Sequence, residues 1–138
     1  MLNSQRFPFV EARDVLGSID AVPQLPQTLY YRNSAVEVSG LLDTDSSVNV
    51  LPYSVGIQLG AVWEELTTSV QLAGNLAPVE ARGLVISAQV RDFAPVQLVF
   101  AWSLKDDVPL LLGRMNFFRE FAVCFYRAQK AFELRPKS

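Results

Sequence analysis

The sequence predicts an all-β protein, a small barrel or sandwich, and two observations favour this class. Short apolar or alternating segments recur along the chain, and turn-forming residues separate them. Helical spacing of apolar residues is confined to two short stretches. With 138 residues, the chain fits a single domain of ordinary size.

The first half of the chain is predicted to hold an arm, a hairpin, a short strand and a short helix. Residues 1–27 contain three prolines and are interpreted as a loosely ordered arm with one helical turn near residues 11–16. TLYYRNSAVEVSGLLDT predicts two strands around a turn at residues 32–34. SSVNVLP predicts a strand, and PYSVGIQLG predicts a short helix that Gly60 closes.

The second half is predicted to consist mainly of strands. Residues 61–93 are interpreted as strands around a turn at Ala73, Gly74 and Asn75, and PVQLVFAW and VPLLLG follow as further strands. RMNFFREF predicts about two helical turns, since its phenylalanines are spaced to cover one face. AVCFYRAQKAFEL predicts a closing hairpin around residues 128–130.

Composition limits the classes of function. Half of the residues are apolar and 19% are charged, which argues against disorder and suggests a buried subunit interface. The net charge is −2 and the basic residues are scattered, so we expect no nucleic-acid partner. No signal pattern is present at the N-terminus and no apolar run could cross a bilayer, so we expect no membrane partner and a cytoplasmic location.

The chain has one cysteine and no histidine. This excludes a disulfide within the chain, Ser-His and Cys-His catalysis, and the commonest metal ligand. We therefore expect no metal and no cofactor. Carboxylates, lysines and tyrosines remain for acid–base chemistry.

Asp43 is the first candidate for such chemistry. It follows Leu41 and Leu42 at the end of an apolar strand, where a carboxylate can be partly desolvated. Two carboxylates that share one proton can activate a water and protonate a leaving amine. Asp-Thr is also ordinary turn chemistry, because aspartate side chains bond to nearby backbone. On these two residues alone, the turn is the favoured interpretation.

Two blocks together resemble the retropepsin family, the retroviral-type aspartic proteases. The chain is interpreted as similar to a bacterial or cyanobacterial-like member of that family. LLDTDSSVNVLP is similar to the family's apolar-apolar-Asp-Thr-Gly loop and following strand, and LLLGRMNFF is similar to its apolar-apolar-Gly strand and helix start. Asp43 and Gly113 lie 113 − 43 = 70 residues apart, which leaves room for a flap. QLAGNLAPVEARG, residues 71–83, occupies the place of that flap hairpin.

The resemblance covers residues 28–134 and implies a small closed barrel with a flap hairpin and one or two short helices. It divides the chain into an arm, 1–27, and a protease domain, 28–138. It implies that Asp43 is the catalytic carboxylate and that Thr44, Asp45 and Ser46 complete the active-site loop. Thr44 would brace the loops of two subunits.

The same resemblance implies the supporting and substrate-binding residues. Gly113 would lie beneath the loop and Arg114 would support it. The flap tip, which would close over a peptide or protein substrate, would consist of four residues: Ala73, Gly74, Asn75 and Leu76.

A full site of this kind needs two aspartates, and the chain contains one such motif. The remaining aspartates lack the Asp-Thr/Ser-Gly context: Asp14, Asp20, Asp92, Asp106 and Asp107. The resemblance therefore implies a homodimer in which a two-fold axis brings two copies of Asp43 together.

Asp45 departs from the family pattern, which has glycine at this position. A dimer would then bring four carboxylates to one site, and like charges so close disfavour full ionisation. Alternatively, Asp45 turns away and pairs with Arg114. The sequence leaves open an active endopeptidase, an impaired dimer that binds peptide or protein, and an unrelated β-barrel interaction domain.

Overall fold

The computed structural model describes residues 3–13 and 16–137. This part of the chain forms eleven strands, two short helices and three 3₁₀-helical turns. The strands are β1 (Gln5–Pro8), β2 (Val10–Arg13), β3 (Ile19–Val22), β4 (Gln24–Tyr31), β5 (Ser34–Leu42), β6 (Asn49–Leu51), β7 (Ala81–Gln89), β8 (Val96–Ser103), β9 (Leu111–Leu112), β10 (Phe121–Tyr126) and β11 (Ala131–Pro136). The helices are α1 (Tyr53–Gln58) and α2 (Phe117–Glu120).

Six strands close into a barrel in the order β4-β5-β9-β6-β8-β7. Neighbouring strands are antiparallel except for two parallel pairs, β5 with β9 and β6 with β8. The parallel pair of β5 and β9 places the ends of these two strands side by side, with Leu42 opposite Leu112. The predicted all-β class, closed barrel and short helices are therefore confirmed.

The barrel closes because alternate residues of its strands are apolar and point inward. In β8, for example, Leu98, Phe100 and Trp102 are fully buried. These three side chains belong to the main apolar core. Beside it lies a smaller apolar cluster, which contains Val50, Leu72, Ala81, Ala101, Val108 and Leu111. The smaller cluster connects β6 and β9 to the segment between residues 71 and 83.

Several local predictions are confirmed. β4 and β5 form a hairpin whose register runs from Gln24 opposite Leu41 to Tyr31 opposite Ser34. Helix α1 is followed by Gly60, whose φ of +82° suits a glycine. β10 and β11 pair around a 3₁₀ turn at Arg127–Gln129.

The N-terminal segment differs from the predicted loose arm. Residues 11–13 belong to β2, which pairs with β3, so the helical turn near residues 11–16 is wrong; residues 14 and 15 lie outside the described part. β1 pairs with β11, and Phe7 stacks on Phe132 with ring centroids 5.1 Å apart. This burial of Phe7 orders the segment. The predicted division between residues 27 and 28 falls within β4.

Two further predictions need correction. Residues 61–70 form a 3₁₀ turn at Trp63–Glu65 and a single bridge at Ser69, with no strand. Trp63 packs edge-on against Trp102 with ring centroids 5.4 Å apart, and this contact holds the segment against the core. Helix α2 has one turn where about two were predicted, because the backbone becomes extended at Phe121 (φ −133°, ψ 140°).

Within the described residues, no helix has the length and apolar character needed to cross a membrane.

Candidate active site

Asp43 is the first residue after β5 and begins a tight turn. Its backbone N–H donates to the carbonyl of Leu112 (3.0 Å), and its own carbonyl accepts from the N–H of Ser46 (3.2 Å). The N–H of Asp45 donates to Oδ1 of Asp43 at 3.0 Å. The half-buried Asp43 carboxylate is thus oriented by its own turn.

Gly113 lies directly beneath this loop. A Cβ at this position would lie 2.5 Å from the carbonyl oxygen of Val48 and 2.7 Å from that of Ser46. Two backbone bonds continue the contact, from Arg114 N–H to the Ser46 carbonyl and from Met115 N–H to the Ser47 carbonyl, both 2.9 Å. The residues from 113 to 115 therefore support the second half of the loop, residues 46–48.

The side chain of Arg114 also contacts the loop. Its Nη1 donates to the carbonyl of Thr44 at 2.9 Å. The alternative in which Asp45 pairs with Arg114 is wrong, because these two described residues form no ion pair within 4.0 Å. The guanidinium bonds to a backbone carbonyl instead, and the Asp45 side chain is exposed.

The segment from residue 71 to 83 extends from a hairpin stem. Val70 N–H donates to the Ala81 carbonyl (3.0 Å), and Gly83 N–H donates to the Thr68 carbonyl (2.9 Å). Leu72 is 3% exposed and anchors the segment in the smaller apolar cluster. The predicted flap tip contains a 3₁₀ turn, Gly74–Leu76, with φ +63° at Gly74.

The stem is fixed by Arg82. Its Nη1 donates to the carbonyls of Trp63 (2.8 Å) and Leu66 (3.2 Å), and its guanidinium lies 4.6 Å from the centroid of a Trp63 ring. The base of the hairpin is thereby attached to the body, while three of the four tip residues are exposed.

A cleft of 410 Å³ separates the active-site loop from the flap tip. The predicted residues that line it are Asp43, Asp45, Ser46, Ala73, Gly74, Asn75, Leu76 and Arg114. Thr44 and Gly113 do not line it: Thr44 is exposed and Gly113 is buried beneath the loop. Val50, Leu72 and Leu111 give the cleft an apolar wall.

Sequence reasoning missed Asn49, which is fully buried. Its Oδ1 accepts from Gly113 N–H at 2.8 Å, and its Nδ2 donates to the Val99 carbonyl at 3.0 Å and to Asn116 Oδ1 at 3.3 Å. Asn116 in turn bonds to the backbone of Val99 and Gln97. One signal was present, since Asn49 interrupts the apolar strand VNVL, and a polar residue buried there needs partners.

The described residues contain no group of three or more His, Cys, Asp or Glu side chains placed to hold a metal. A larger depression, 460 Å³, lies against β4 and β5, and none of the predicted site residues lines it. The predicted residues are therefore gathered at the cleft, which offers a carboxylate, an apolar wall and a hairpin opposite. Such an arrangement can hold an extended chain beside a proton-transferring group.

Comparison with known proteins shows a likeness in structure. A retropepsin-like aspartic protease from Rickettsia conorii has a similar crystal structure, with a TM-score of 0.59 over 99% of this chain and 96% of that one. The two sequences are 17% identical. No family model matches the chain, and no curated protein matches it. The likeness in structure, together with the closed six-stranded barrel, shows that the chain has a retropepsin-like fold.

Proposed function

We propose that the protein is an aspartic endopeptidase that acts as a homodimer on peptide or protein substrates. The observation that carries this proposal is the cleft that Asp43 shares with the flap tip. Two copies of Asp43, one from each subunit, form the catalytic pair. A cytoplasmic location is part of the same proposal.

The chemistry follows from the turn around Asp43. Because Oδ1 accepts the Asp45 N–H, the carboxylate has a fixed orientation and its second oxygen is left for a water. In the dimer, two such groups share one proton. The ionised carboxylate takes a proton from the water as the water attacks the peptide carbonyl, and the protonated one gives its proton to the leaving amine.

The flap tip covers the substrate, and Thr44 braces the dimer. An extended peptide fits between the loop and the tip with its apolar side chains against Val50, Leu72 and Leu111. Thr44 is exposed, and its hydroxyl has no hydrogen bond within the described residues. It is therefore available to the second subunit.

Asp45 supports a second candidate, an impaired dimer that binds peptide or protein without efficient cleavage. The bond to Asp43 uses only the backbone N–H of Asp45, which any residue except proline supplies. The Asp45 side chain, in contrast, lines the cleft and forms no ion pair with any described residue. In a dimer, two Asp45 side chains would add two carboxylates to the cleft that holds the catalytic pair.

The substitution Asp45→Gly tests the two candidates. It removes two carboxylates from the dimer's site, so peptidase activity on a mixed peptide library should rise about five- to 150-fold, a barrier change on the order of 1–3 kcal/mol. Asp43→Asn in the Asp45→Gly background should abolish the activity, because an amide cannot act as the base. Inhibition by a pepstatin-type compound should accompany the gain.

Three results are distinguishable once circular dichroism shows that the variants are folded. If the wild type cleaves and Asp45→Gly changes little, Asp45 does not obstruct the reaction and the endopeptidase stands. If only Asp45→Gly cleaves, the natural chain is the impaired binding dimer. If neither cleaves although both are folded dimers, the assignment of Asp43 as the catalytic residue loses its support and a binding function is favoured.

A further inference from the structure

A second depression opens beside the cleft, on the outer side of the barrel. We call it the outer groove; its volume is 320 Å³. It is lined by Val48, Val70, Val99, Ala101, Met115, Asn116 and Arg119. These residues come from the active-site loop, the flap stem, strand β8, and helix α2 with the turn before it. Four elements therefore converge on one mainly apolar surface.

The apolar side chains of the outer groove are accessible. Val99 is 49% exposed and Met115 is 52% exposed, although both are large apolar residues. Single exposed apolar residues are common on protein surfaces, but a contiguous concave group of them is typical of a binding site. Exposed Val99 and Met115 with half-buried Val48 and Val70 form such a group.

The outer groove continues from the cleft. Val48 lines both, and it forms a bridge with Met115. In the flap stem, Val70 lines the outer groove and lies two residues before Leu72, which lines the cleft. An extended chain that leaves the cleft past Val48 would therefore enter the outer groove.

One positive charge gives the outer groove a chemical preference. Among the described residues that line it, only Arg119 is charged. Its side chain is exposed and makes no ion pair or hydrogen bond within the described part of the chain, whereas Arg6, Arg32 and Arg82 each pair with a glutamate. An unpaired guanidinium beside an apolar surface favours a carboxylate on the occupant.

We propose that the outer groove binds a part of the substrate distant from the bond to be cleaved, and that this part carries an aliphatic side chain beside Asp or Glu. The inference rests on the proposed binding of peptides in the cleft and adds a substrate class to it. The aliphatic side chain packs against Val70, Val99 and Met115. The acidic residue pairs with Arg119.

The test measures binding separately from cleavage. A random dodecapeptide library is selected on the Asp43→Asn protein, so that bound peptides stay intact. Twelve extended residues span about 40 Å, which is long enough for one peptide to fill the cleft and continue beyond it. Selected peptides should be enriched in an aliphatic residue next to Asp or Glu, and their affinities are then measured by fluorescence polarisation.

Matched variants show whether the outer groove determines the preference for an aliphatic residue next to Asp or Glu. Val99→Lys should weaken binding of the selected peptides by at least about tenfold, because a charge replaces an apolar contact. Val85→Lys is the control, since Val85 is 52% exposed and lies opposite Val99 on β7 but outside the groove. Arg119→Glu should exchange the preference for Asp or Glu for one for Lys or Arg, and Arg135→Glu should leave it unchanged.

The results separate this inference from the proposed activity. If the selected peptides bind as expected but the wild type cleaves nothing, peptide binding by the outer groove is supported and the proposed endopeptidase activity is contradicted. If the wild type cleaves peptides and Val99→Lys behaves like Val85→Lys, the activity stands and the groove is overturned. The groove is also overturned if no peptide is selected, or if selected peptides lack the acidic residue and ignore Arg119→Glu.

Discussion

Gly113 and Asn49 together determine where the loop that carries Asp43 lies. Gly113 allows the backbone of residues 46 to 48 to approach closely, and Asn49 accepts the Gly113 N–H. Neither residue lines the cleft. Their effect on the site is exerted through backbone position alone.

A methyl group at Gly113 should disturb this arrangement. In Gly113→Ala the new Cβ would meet two carbonyl oxygens at 2.5 and 2.7 Å, and backbone cannot rotate away as a side chain can. We expect the free energy of unfolding to fall by about 1–3 kcal/mol, measured by urea denaturation. Any peptidase activity should fall as well, because the loop must shift.

Gly83→Ala is the matched control. Its Cβ would find its nearest neighbours at 3.8 and 3.9 Å, which is ordinary contact. Equal stability of the two alanine variants would contradict the role of Gly113 beneath the loop.

The sequence predicted Asp43 and Gly113 but missed Asn49 and Asn116 for a physical reason. The first two lie in local patterns, an apolar strand followed by a turn or by glycine, which can be read along the chain. The link between Asn49 and Asn116 spans 67 residues and exists only after β6 and β8 have paired. For the same reason, the sequence could not decide whether Arg114 bonds to Asp45 or to the Thr44 carbonyl.

At the scale of elements, hairpins with strong turn residues were predictable and segments governed by distant packing were not. The β4–β5 and β10–β11 hairpins follow alternation and turn chemistry, which are local. The course of residues 61–70 depends on Trp63 meeting Trp102, about 39 residues later in the chain. The order of the N-terminal segment depends on β1 finding β11 at the other end.

The flap is the element whose motion the proposed function requires. Its stem is bonded to the body through Arg82. Within the described residues, the backbone hydrogen bonds of its tip are local, such as Leu76 N–H to the Ala73 carbonyl, 3.2 Å. Gly74 adds backbone freedom, with nothing within 4 Å of a Cβ built there. The tip can therefore open while the stem stays in place.

Hydrogen exchange measures this difference. Amides of residues 73–76 should exchange fast, and amides of residues 98–101 and 110–112 should exchange slowly, because β8 is paired on both sides and β9 lies between β5 and β6. The strands serve as the internal control. Equal protection in all three segments would count against a lid.

At the scale of the whole molecule, the proposed site is half complete. One chain supplies one Asp43 in the cleft, and the exposed Thr44 hydroxyl lacks a partner within the described residues. β10 is an edge of the sheet β1-β11-β10, with Phe125 exposed. A second copy would complete the carboxylate pair and could cover apolar surface of this kind.

Sedimentation and subunit mixing test whether two chains make one site. At micromolar concentration the protein should sediment with about twice the 15.4 kDa chain mass.

In the mixing experiment, chains with Asp43 are unfolded and refolded with an equal amount of Asp43→Asn chains, both in the Asp45→Gly background if the wild type is inactive. Random pairing leaves about one quarter of the dimers with two aspartates, so activity per total protein should fall to about one quarter of that of the unmixed protein. A fall to about one half would mean that a single chain is sufficient, and a monomer at all concentrations would exclude the shared site. Adding Asp43→Asn dimers without unfolding is the control, since subunits that do not exchange should only dilute the activity by half.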